Sequence, residues 1–136
     1  MATSPQFAGT INRGVAALSA TADVAVATSG SFITPTAASF TTLFTAGATG
    51  SKIEEVVVEG TGTTIAGLVR LYVYNGTNYI LFDTYIVGAV IPSTTLANFR
   101  LSTTYANLEL KSGDTLVVSS TVASQLANVT ALGGDL

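Results

Sequence analysis

Histidine, cysteine and tryptophan are all absent from this chain of 136 residues. Without histidine there is no imidazole base, no serine triad of the usual form and no imidazole metal ligand. Without cysteine there is no disulfide, thiolate nucleophile or thiolate metal site. The missing tryptophan removes the largest aromatic platform and weakens a carbohydrate-binding reading. Charge is scarce as well. Asp, Glu, Lys and Arg make up 10% of the residues, against roughly 25% in an average soluble domain. The 8 acidic and 5 basic residues leave a net charge of −3 with no basic stripe, which argues against nucleic acid as a partner. No apolar run approaches the roughly 20 residues of a membrane helix. The first residues carry no basic and apolar leader pattern, so the expectation is a protein made in the cytoplasm, with no membrane segment.

In place of charge the chain is rich in Thr, Ser, Asn, Ala and Gly. A neutral hydroxyl surface is one reading, tolerated by a secreted or virion protein. The other is a surface largely covered by partners, because the cores of protein interfaces are depleted in charge. The second is favoured here. The length is that of one domain and suffices to bury roughly two thirds of the unfolded chain's surface.

The strand signals are regular from Ser31 onward. Ser39 to Thr45, Lys52 to Glu59, Val69 to Tyr74, Tyr79 to Val87, Asn98 to Ser102, Ala106 to Lys111, Thr115 to Val122 and Leu126 to Leu132 read as strands with turn residues between them. Asn75-Gly76 between two alternating runs is a strong hairpin signal, with a loop over Asn75 to Asn78. Val69, Leu71 and Val73 fall on one face of their strand, and Arg70, Tyr72 and Tyr74 on the other. Residues 1–30 read as an extended N-terminal arm with short strand pieces, anchored by Phe7 and Ile11, because β-branched residues oppose the helix that its alanines suggest. The expectation is an all-β fold: a jelly-roll-like β-sandwich of about eight strands over residues 31–136, preceded by the arm.

The search for chemistry returns little. Ser51-Lys52 and Lys111-Ser112 are formal Ser-Lys neighbours, yet both lysines read as solvated strand ends. Glu54, Glu55, Glu59, Asp83 and Glu109 could supply a glycosidase pair, but charged residues on strands also guard against edge-to-edge pairing. Gly60-Thr61-Gly62 begins like a dinucleotide fingerprint, but Ile65 stands at the third glycine and a strand follows. Asp114 and Asp135 form no calcium pattern. Expected, then, are no catalytic residue, no metal and no cofactor. Tyr72, Tyr74 and Tyr79, with Phe82 and Tyr85, crowd one hairpin. They form either an exposed aromatic platform for a protein or sugar, or cross-strand packing in a sheet covered on both faces. Arg70 shares the Tyr72 face and can reach a neighbouring carboxylate. The candidate interaction residues are Phe7, Ile11, Arg70, Tyr72, Tyr74 and Tyr79.

The stretch Thr63-Thr64-Ile65-Ala66-Gly67-Leu68-Val69-Arg70-Leu71-Tyr72 with Asn75-Gly76-Thr77-Asn78-Tyr79 resembles a short protein of tailed-phage structural gene clusters. So does Leu110 to Leu116 together with Asn128 to Asp135. The resemblance covers residues 51–136 and is a pattern of hairpins without a catalytic signature. It implies a virion protein on the capsid exterior: a head decoration or cement protein that binds the major capsid protein, commonly as a homotrimer. The alternative is a receptor- or glycan-binding β module of a tail or surface appendage.

Overall fold

The structure is a computed structural model that describes residues 10–25 and 33–136. Eight strands follow one another: β1 (Thr10–Ala17), β2 (Phe40–Thr45), β3 (Ser51–Gly60), β4 (Gly67–Tyr74), β5 (Tyr79–Val87), β6 (Arg100–Leu110), β7 (Thr115–Ser120) and β8 (Ala127–Asp135). They form two four-stranded sheets, ordered β1-β8-β3-β6 and β2-β7-β4-β5, and every paired neighbour is antiparallel. No helix among the described residues is long and apolar enough to cross a membrane.

The two sheets pack face to face as a sandwich. Alternation sets the facing surfaces, since successive side chains point to opposite sides of a strand. Ile53, Val56 and Val58 of β3 meet Val69 and Leu71 of β4 and Leu116 and Val118 of β7 between the sheets. Ile53, Val56, Val58, Val69, Leu71, Leu116 and Val118 are fully buried, and at about 2 kcal/mol each such side chains supply much of the drive to fold. The β4–β5 loop is Asn75 to Asn78, as the sequence pattern suggests. The Asn75 side-chain oxygen accepts bonds from the Thr77 and Asn78 amides, and Gly76 takes the left-handed backbone (φ 94°) that the turn requires.

The pattern is corrected at several points. The two runs expected at 98–102 and 106–111 are one strand, β6, whose register against β3 slips over residues 105–107. The last strand does not stop at Leu132: Gly133, Gly134 and Asp135 continue β8, flanked by β1 and β3. Residues 10–17 of the expected arm are the edge strand of a sheet, and Asp23 farther on is buried. The boundary drawn at residue 30 lies outside the described residues, as does Phe7. Ile11 does not anchor β1: it points away from the core and is 91% exposed, while Ala16 on the opposite face is buried.

Topology sorts the connections. Those after β1, β3, β5 and β7 gather at one end of the sandwich, where Gly60 pairs with Ala127, Ala17 with Asn128 and Gly67 with Val87. Those after β2, β4 and β6 gather at the other end.

Candidate interaction surface

The expected aromatic platform is only partly a surface. Tyr72 is completely buried. The segments around residues 23 and 36 fold over the outer face of β7 and β4, and the carboxylate of Asp23 seats itself there. One of its oxygens accepts bonds from Ser119 Oγ (2.6 Å) and Tyr72 Oη (2.9 Å), and Arg70 Nη1 approaches to 3.4 Å. The other accepts from the backbone amides of Ala25 (2.9 Å) and Thr36 (3.1 Å) and from Thr36 Oγ1. Burial by itself pushes the Asp23 carboxyl upward, but this set of donors outweighs it and holds the group at about 2. Arg70 thus reaches a carboxylate of its own chain. Tyr79 stacks on Tyr74 at 4.3 Å, meets Tyr72 edge-on at 6.3 Å and leans on Phe40 at 5.3 Å. The hairpin aromatics therefore realise the packing alternative, with Tyr74 and Tyr79 half-buried at its margin. Burial raises the Tyr72 and Tyr79 phenols above their ordinary range.

The carboxylates are equally occupied with structure. Glu55 accepts a bond from Ser102, and Glu59 stands opposite Arg100 in the ladder. The Ser51 hydroxyl, beside Lys52, is buried and donates to Asp135 (2.7 Å). Among the described residues no group of three or more Asp or Glu side chains converges in a way that could hold a metal ion.

One region has the character of a binding surface, and it lies where the loops after β3, β5 and β7 meet. The loop residues 61–66, 88–99 and 121–126 carry no charge, and Glu59 and Arg100, opposite each other in the ladder, stand at their border. These stretches are far apart in the chain and become neighbours only because three strand ends coincide. Ile65, Ile91, Leu96 and Leu126 from these loops are each more than half exposed. Lys52, Glu109, Lys111, Asp114 and Asp135 sit at or near the opposite end.

The uncharged end is braced internally. The buried Gln125 side chain accepts from the Ile65 amide (2.9 Å) and donates to the Ile65 carbonyl (2.6 Å), tying the β7–β8 loop to the β3–β4 loop. The buried Thr64 donates to the Gly88 carbonyl (2.7 Å) and accepts from the Val90 amide (3.1 Å), tying in the β5–β6 loop. Thr64 and Val90 also exchange backbone bonds. A shallow cleft of about 250 Å³ beside Leu126 is lined by Ala17, Leu18, Thr61, Gln125 and Ala127. Such an end can receive an apolar partner surface with little loss of loop freedom. The sequence holds the signal as an absence of charge, but only the fold brings the three stretches together. No protein-family model, curated protein or solved structure matches this chain.

Proposed function

We propose that this chain is a binding protein without a catalytic role: a decoration protein that attaches to the outer surface of a tailed-phage head, in contact with the major capsid protein, and stabilises the assembled shell. The observation that carries the reading is the uncharged, internally braced end with Ile65, Ile91, Leu96 and Leu126 exposed on it. Large apolar side chains left exposed together on one end of a domain point to an interaction site, and charge depletion marks the core of an interface. The strand order β1-β8-β3-β6 over β2-β7-β4-β5 also fits the jelly-roll arrangement. A protein that binds the assembled lattice better than its separated subunits stabilises the lattice by mass action, with no covalent chemistry.

The test is co-sedimentation of the purified chain with emptied heads of the phage that encodes it, beside unassembled capsid subunits. Binding to heads alone, lost in the double variant Ile91→Asp/Leu126→Asp, is the expected result. Binding that is unaffected by that variant, or that requires a host-cell sugar, overturns the reading. The sugar result favours the receptor-binding alternative.

A further inference from the structure

The sandwich has four edge strands, and three of them are interrupted. The ladder slips at Leu43 in β2, at Phe82 in β5 and over residues 105–107 in β6. Bulges of this kind keep an edge from accepting a foreign strand. β5 and β6 are further closed against each other, because Tyr105 of β6 donates to Asp83 of β5 (2.7 Å) and shares a hydrogen bond with Tyr85. β1 carries no bulge of its own; its inner face meets β2, where Gly14 lies against the Leu43 carbonyl, but its outer hydrogen-bonding edge is not taken up by that contact. β1 pairs with β8 through eight consecutive positions without a slip. Among the described residues no strand pairs with its other edge. Its single charged residue is Arg13, and Ile11 and Val15 stand exposed on its outward face.

We propose that the free edge of β1 pairs with β1 of a second copy of this chain, antiparallel and about a two-fold axis at Gly14. Self-pairing is favoured over a foreign strand because β1 matches itself in a register that can be derived. Directly opposed residues of a ladder point to the same side of the sheet. Outward residues Ile11, Arg13, Val15 and Ala17 must therefore face outward residues of the partner copy. An axis at Arg13 sets two guanidinium groups opposite each other. An axis at Val15 leaves Ile11 beyond the partner's strand. An axis at Gly14 places Arg13 opposite Val15 and Ile11 opposite Ala17, spans nearly the whole strand and opposes no like charges. The two sheets then become one, with β1 and its copy at the centre. This contact uses the side of the sandwich rather than its uncharged end, so it stands apart from the shell-binding reading. It is two-fold, in contrast to the trimer that the resemblance implies.

The test exploits the absence of native cysteine. Arg13→Cys and Val15→Cys change exposed side chains only. When the two variants are mixed and mildly oxidised, the disulfide joining one to the other should form well ahead of the disulfide within either variant alone. Directly opposed Cβ atoms come within reach of a disulfide, whereas diagonal ones are roughly 7–8 Å apart. Native mass measurement of the unmodified full chain should give a dimer, and Val15→Lys should weaken it at least tenfold, since a lysine guards an edge. A monomer at all concentrations, a trimer indifferent to Val15→Lys, or cross-linking with no preference between positions overturns the proposal. Val15→Lys should still co-sediment with heads, so failure of this pairing and failure of the shell reading are read separately.

Discussion

The main chain of β1 at Gly14 lies against the carbonyl oxygen of Leu43 in β2, so close that a methyl group on Gly14 would stand 1.7 Å from that oxygen. Leu43 is the bulged residue of β2, and the bulge carries its carbonyl toward the other sheet. Glycine at 14 and the bulge at 43 are thus one device that closes the β1–β2 side of the sandwich. Gly14→Ala must push β1 and β2 apart. The expected cost is about 3 kcal/mol, at the upper end for overpacking, visible as a lowered denaturant midpoint. An unchanged midpoint would mean that the strands do not approach this closely.

Asp23 makes folding sensitive to acid. Its carboxyl sits at about 2 in the folded chain against an ordinary 3.8. A depressed carboxylate stabilises the fold above its unfolded value, and that contribution fades as pH falls toward the folded value. A depression of this size is worth about 2 kcal/mol, lost between about pH 4 and pH 2. Stability measured across that window should fall in the native chain. In Asp23→Asn it should be low throughout and flatter with pH. A native-like slope in Asp23→Asn would locate the acid sensitivity elsewhere.

Tyr72→Phe removes one donor to Asp23 while keeping the buried ring. A cost of about 1.5–3 kcal/mol is expected, as for a hydrogen bond to a charged group. Leu71→Ala, next in the strand but facing the core, should cost about 2–5 kcal/mol through the cavity it leaves. If Tyr72→Phe costs nothing by equilibrium unfolding, the Asp23 cluster is not what holds the segments around residues 23 and 36 on the sheet.

At the opposite extreme of pH, Tyr85 and Tyr105 should resist ionisation. Burial pushes both phenols above their ordinary range of 10, and the neighbouring Asp83 carboxylate adds to the effect. A raised phenol stabilises the fold below its unfolded value, and that stability drains away as pH climbs beyond about 10. Ultraviolet titration of the folded chain should leave these two tyrosines protonated where the unfolded chain ionises all 5. Titration of every tyrosine near its ordinary value would contradict the closed β5–β6 side.

Much of this was legible in the residues, and the failures have specific causes. The β4–β5 hairpin could be read because a turn signal at Asn75-Gly76 agrees with strict alternation on both sides. β6 looked like two strands because its first half, through Thr103 and Thr104, alternates between half-buried and exposed positions and buries no large apolar residue. The sequence pattern ends β8 at Leu132, short of its true end, because the glycines that follow are present for closeness rather than for turning: a Cβ at Gly133 would lie 2.1 Å from the Lys52 carbonyl oxygen. Alternation placed Tyr72 correctly on the face away from the core. It could not reveal that Asp23, far away in sequence, returns to cover that face. The uncharged end was invisible for the same reason, since three separate neutral stretches become a surface only through topology.

That end has a consequence for the medium in which the protein works. Salt acts on a protein contact by screening its charges, and the loop residues 61–66, 88–99 and 121–126 offer it none to screen. An attachment made through those loops depends little on salt or pH beyond what the bordering Glu59 and Arg100 contribute, as long as the sandwich behind it stays folded. Its weakness is cold, because apolar association loosens as temperature falls.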